Sequence, residues 1–90
     1  MMNQKYEVNP DVLVTDLDDE LALLDPRTSR MYTLNTVGRA AWQALAGVGA
    51  TGAELLIVIV QAFEVEEEQA REDLRSLLSD LERQGLIRPA

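Results

Sequence analysis

At Asn35 the hydrophobic period of this chain changes from two to between three and four, and no other feature constrains its fold as much. Upstream, Val12-Leu13-Val14-Thr15-Asp16-Leu17 is rich in β-branched residues and predicts a strand. Asp18-Asp19 supplies a turn, and Glu20-Leu21-Ala22-Leu23-Leu24-Asp25 a second strand. In Pro26-Arg27-Thr28-Ser29 the proline fixes φ and the hydroxyls can bond nearby backbone, which predicts another turn. Arg30-Met31-Tyr32-Thr33-Leu34 is then the third strand. Consecutive strands joined by such short loops make an antiparallel meander.

Downstream, Asn35 is a good helix N-cap, and Val37, Ala40, Ala41, Ala44 and Leu45 recur at helical spacing until Gly47-Val48-Gly49 ends the run. Gly38 in the first turn lowers helix propensity and points to close packing against the sheet. Thr51-Gly52-Ala53-Glu54 has the form of a capping box. The run behind it, Leu55 to Val60, has the composition of a buried strand. The box and the continuation through Gln61-Ala62-Phe63 favour a helix instead, one so apolar that it must be buried or docked to a partner. In the third helix Glu66, Glu67 and Glu68 complement the dipole at its start. Ala70, Leu74, Leu77, Leu78 and Leu81 mark one face, and Gly85 fits the left-handed position after the helix. Leu86-Ile87 then folds back as the hydrophobic contact of that cap or as a short extra strand. The expected class is α+β, a three-stranded antiparallel meander followed by three helices. Residues 1–10, ending in Asn9-Pro10, read as a flexible lead-in, and residues 11–90 as a single domain.

Composition removes most chemistry. With neither cysteine nor histidine, the chain has no disulfides, no thiolate nucleophile, no Cys/His zinc site and no imidazole base. Asp16, Asp18, Asp19 and Glu20 lack the glycine and closing Glu of a calcium loop and read as a solvated hairpin turn. Ser76 and Ser79 have no base beside them other than carboxylates. No enzymatic activity and no cofactor are expected. A net charge of -8, with arginines scattered along the chain, disfavours nucleic acid and suits a basic or neutral partner. No apolar run approaches the ~18 residues of a membrane span, and the N-terminus lacks the apolar core of a signal peptide. The expected location is cytoplasmic, away from the membrane.

The third strand is an edge of the simple meander and carries neither proline nor lysine, the usual guards against strand pairing. Alternation sends Arg30, Tyr32 and Leu34 one way and Met31 and Thr33 the other. An open edge beside an amphipathic helix suits a guest peptide that pairs as an extra strand. On topology alone, an edge closed by a loop, a terminus or a homodimer is the commoner outcome.

From residue 12 to residue 87 the chain resembles the PqqD-like family, also called RiPP recognition elements. The residues that carry the resemblance begin with Leu23-Leu24-Asp25-Pro26, Tyr32-Thr33-Leu34-Asn35, Val37-Gly38 and Ala41-Trp42 with Leu45. Thr51-Gly52-Ala53-Glu54-Leu55, Phe63-Glu64-Val65, Asp73-Leu74, Leu77-Leu78, Leu81 and Gly85-Leu86-Ile87 complete the ordered set. The resemblance implies a winged helix-turn-helix-like fold that binds the leader of a ribosomally made precursor peptide as a strand beside the third strand. The implied peptide-binding residues are Arg30, Met31, Tyr32, Thr33 and Leu34, with Asp73, Leu74, Leu77 and Asp80 of the third helix. The passage from Leu34 to Trp42 is more similar to the stand-alone recognition proteins of lasso-peptide pathways, and Ala46-Gly47-Val48-Gly49 departs from the turn expected of PqqD itself. The implied partners are the precursor leader, a separate cysteine-protease-type leader peptidase and a cyclase.

Each site reading has a plainer alternative. Tyr32 and Leu34 serve equally as core residues, Asp73 and Asp80 as a solvated face, and Trp42 as a boundary residue. Three other functions compete: a winged-helix transcription factor, an acidic structural subunit of an enzyme, and a PqqD-type chaperone in quinone cofactor synthesis. The third helix argues against the first, because Glu66, Glu67, Glu68, Glu72, Asp73, Asp80 and Glu82 face only Arg71, Arg75 and Arg83.

Overall fold

In the computed structural model, which describes residues 3–90, the elements run β1 (Lys5–Val8), β2 (Leu13–Leu17), β3 (Glu20–Asp25), β4 (Arg30–Leu34), α1 (Thr36–Leu45), β5 (Ala50–Thr51), α2 (Gly52–Ala62), α3 (Glu67–Arg83) and β6 (Ile87–Pro89). The expected meander is the sheet β2-β3-β4, and the three helices follow it. Its first hairpin turns at Asp18, whose φ of 68° is the left-handed backbone that tight hairpins use. The second is organised by Asp25, which is buried. Its carboxylate accepts from the Arg27 N–H at 3.0 Å, and its carbonyl oxygen from the Ser29 N–H at 2.8 Å.

Register sorts the two faces of this sheet. Leu21, Leu23, Leu34 and the partly buried Tyr32 face the helices and join the core. On the outer face Leu13, Leu24 and Met31 form one cross-strand row, and Leu13 and Met31 are 55% and 68% exposed. The most deeply buried side chains, Leu23, Leu34, Leu45, Leu55, Leu74, Leu81 and Ile87, come from sheet, helices and the last strand together. Each contributes roughly 2 kcal/mol by leaving water.

The helix ends follow their sequence signals. Asn35 accepts from the Gly38 N–H at 2.9 Å. In the box before α2, Thr51 Oγ1 accepts from the Glu54 N–H at 3.1 Å while Glu54 Oε1 accepts from the Thr51 N–H at 2.8 Å. After α3, Gly85 takes φ 75°, its N–H donates to Glu82 and the Leu86 N–H donates to Leu81, the paired bonds of a Schellman cap. A Cβ on Gly38 would lie 3.2 Å from Leu34 Cδ2, so the first turn of α1 packs closely on the end of β4. The apolar α2 buries one face through Leu55, Leu56 and Ile59, whereas Ile57 is 56% exposed.

The flexible lead-in expected over residues 1–10 requires correction. Met1 and Met2 lie outside the described residues, but Lys5–Val8 form β1, the centre of a second sheet ordered β5-β1-β6. Tyr6 pairs with Ala50 on one side and Pro89 on the other. Both readings of Leu86-Ile87 are realised, since Leu86 closes the cap and Ile87 enters β6. Gly49 permits this arrangement: with φ at 85°, a Cβ would sit 2.6 Å from the Tyr6 carbonyl oxygen.

Candidate functional site

In the sheet β2-β3-β4, β3 is central, so among the described residues β4 keeps one edge free of strand partners. The amphipathic α3 runs near that edge with Ala70, Leu74, Leu78 and Leu81 turned into the core. Between edge and helix lies an open groove of ≈ 430 Å³. Tyr32, Thr33 and Leu34 line it from the strand, and Asp73, Leu74, Leu77 and Asp80 from the helix.

Those seven residues are among the nine anticipated from sequence; Arg30 and Met31 stand elsewhere. The Arg30 guanidinium donates to Gln84 Oε1 at 3.3 Å, bridging the start of β4 to the end of α3. Met31 projects on the outer face of the sheet. Leu74 is 1% exposed, so it is the groove's floor and a core residue at once, while Leu77 is only partly buried.

The sequence reading missed the groove's other end. Val37 and Gly38 from the first turn of α1, Ile59 from α2, Val65 from the connecting loop and Ala70 from α3 enclose it there. The groove therefore continues past the last residue of β4 into an apolar recess. The apolar period marks Val37 and Ala70 as core and Ile59 belongs to the apolar run of α2, whereas Val65 lies outside any period, and no local signal distinguishes lining from filling.

Polarity is concentrated on the α3 wall. Asp80 is ion-paired with Arg83 one turn on. Tyr32 lies beside Asp80; burial chiefly, and then that carboxylate, push the phenol above its ordinary pKa of 10.0. Asp73 accepts a hydrogen bond from Gln69 Nε2 at 2.9 Å. Among the described residues no group of His, Cys, Asp and Glu side chains is arranged to hold a metal ion, and no helix is long and apolar enough to cross a membrane. An edge of unpaired main-chain groups above an apolar floor can take up an extended peptide.

Three comparisons bear on this geometry. The profile of the family described as coenzyme PQQ synthesis protein D (PqqD) matches residues 20–87. The solved structure of TbiB1 in complex with the TbiA(beta) leader peptide is similar at a TM-score of 0.80 and 27% identity, over 90% of this chain and 93% of that one. A lasso peptide synthetase B1 complexed with its leader peptide is similar at 0.78 and 25% identity, over 93% of this chain and 98% of that one. No curated protein sequence matches the chain.

Proposed function

The chain belongs to the PqqD family, and from that premise we propose that it binds the leader region of a ribosomally synthesised precursor peptide as a strand added to β4. The observation that carries the reading is the open β4 edge facing α3 across an apolar-floored groove. The similar structures, which hold leader peptides and span nearly the whole chain, support a role in lasso-peptide biosynthesis over one in quinone cofactor synthesis.

The register supports strand addition. A two-residue turn closes on the pair Leu17 and Glu20, and antiparallel pairs alternate between exchanging both main-chain hydrogen bonds and exchanging none. Counting outward, Leu21, Leu23 and Asp25 direct theirs to β4, which leaves the N–H and C=O of Met31 and Thr33 directed at the free edge. In this reading Arg30 and Met31 belong to the site through the strand backbone, and their side chains flank it. The protein acts without turnover, in the cytoplasm, presenting the leader to a separate cysteine-protease-type peptidase and a cyclase. In the absence of a guest the same edge offers a route to a homodimer.

The test is a fluorescence-polarisation titration with synthetic leaders from precursor-like genes neighbouring this one. Saturable binding, abolished in a folded Thr33→Pro variant that lacks one outward N–H, is the expected result. Failure of every leader to bind the folded monomer overturns the reading and favours the enzyme-subunit alternative.

A further inference from the structure

Strand addition alone leaves a guest's position undetermined. Sliding it by two residues along β4 restores the same main-chain bonds and keeps the same side chains facing the groove. Side chains on the opposite wall must therefore set the register, and α3 supplies that wall.

Two carboxylates stand on it, and the structure separates them. Asp80 is neutralised by Arg83 and adjoins Tyr32. Asp73 accepts only the neutral amide of Gln69, and among the described residues no cationic group lies within ion-pair distance of it. Of the two arginines nearest it in sequence, Arg71 is bound to Glu67 at 3.0 Å, and Arg75 makes no ion pair with Asp73. Among the described residues that line the groove, Asp73 is thus the one formal charge without an ion-pair partner.

Resting on the strand-addition reading, we infer that Asp73 is a specificity-determining residue that selects guests carrying a lysine or arginine at one fixed position. The seven residues from Asp73 to Asp80 span about 10 Å of helix, equivalent to roughly three residues of extended chain. Alternation turns only every second guest residue toward α3, so the guest's basic residue falls two or four positions from the one opposite Tyr32, toward the apolar recess. There a large apolar side chain enters between Val37, Ile59 and Val65. A slip by two residues moves the cation off Asp73 and leaves the carboxylate unpaired, so the pair fixes register as well as composition.

The experiment selects a displayed library of short random peptides on the full chain and on folded Asp73→Asn, Asp73→Lys and Asp80→Asn variants. The expected result is a lysine or arginine enriched at one position with the wild type and with Asp80→Asn, lost with Asp73→Asn, and replaced by an acid with Asp73→Lys. Individual basic peptides should bind Asp73→Asn about two- to fivefold more weakly, as for a partly exposed ion pair. Enriched peptides with no fixed basic position, or a basic preference that survives Asp73→Asn, overturn the inference while leaving strand addition intact. A library from which the wild type enriches nothing overturns strand addition, and this inference with it.

Discussion

The side-chain amide of Asn9 donates to the carbonyl oxygen of Gly85 at 3.0 Å, joining the segment after β1 to the capped end of α3. The Asn9 N–H donates in turn to the Leu86 carbonyl at 2.9 Å, and Asn9 Oδ1 accepts from the Asp11 N–H at 3.0 Å. One buried side chain thereby fixes the helix that walls the groove. Asn9→Ala removes both side-chain bonds to main-chain groups that water can then reach, and should lower unfolding stability by about 1 kcal/mol, read as a shifted urea midpoint at unchanged slope.

Three glycines give a graded series. A Cβ on Gly47 meets nothing within 4 Å and Gly47 has no positive φ, so Gly47→Ala should be neutral or slightly stabilising. Gly85 has open space but φ 75°, so Gly85→Ala should cost about 1 kcal/mol. Gly49 combines φ 85° with a backbone oxygen 2.6 Å from the new Cβ, so Gly49→Ala should cost the most, about 3 kcal/mol or more. Thermal melts of the three variants check the order.

Leu74 and Leu77 should separate stability from binding. Leu74→Ala opens a cavity beneath the groove and should cost about 3 kcal/mol of stability. Leu77→Ala, at a partly buried position, should cost less than about 1 kcal/mol yet weaken peptide binding several-fold. Calorimetric unfolding and peptide titration on the same samples read the two effects apart.

The capping box makes part of the stability depend on acid. The Thr51 main-chain N–H, first, and then the Thr51 side chain hold Glu54 below its ordinary pKa of 4.5. Because the folded value is the lower one, this contribution is present above pH 4.5 and is lost as pH falls toward the folded value. Glu54→Gln should flatten the pH dependence of the urea midpoint in that window and leave it otherwise unchanged.

At the alkaline end the sign reverses. The Tyr32 phenol is raised above 10.0 in the folded protein, so the unfolded chain ionises first and stability falls as pH rises past 10.0. Tyrosinate absorbance should show a late-titrating step that Tyr32→Phe removes. Asp80→Asn should move that step down, because the carboxylate is the second cause of the shift.

What was legible in the sequence was local. Asn35, the Thr51–Glu54 box and Gly85 each act within a few residues, and each lies where its spacing put it. The second sheet was not, because β5 has two residues, β6 three, and Tyr6 finds its partners at Ala50 and Pro89. Strands so short carry no period to read, and an Asn-Pro pair looks like a loop until Gly85 comes beside it. The groove divided in the same way. The β4 edge and the polar α3 face could be inferred from alternation and helical spacing. The recess between Val37, Ile59 and Val65 depends on how three elements pack together, which no single segment records.

The row of Leu13, Leu24 and Met31 crosses all three strands on the sheet's outer face, and among the described residues neither outer strand has a partner on its far edge. Pairing through either edge would extend that apolar row from copy to copy, so colloidal stability rests on repulsion between like-charged molecules. With a charge of -8 near neutrality and an isoelectric point near 4.3, that repulsion disappears in mild acid, where light scattering should rise before the fold is lost.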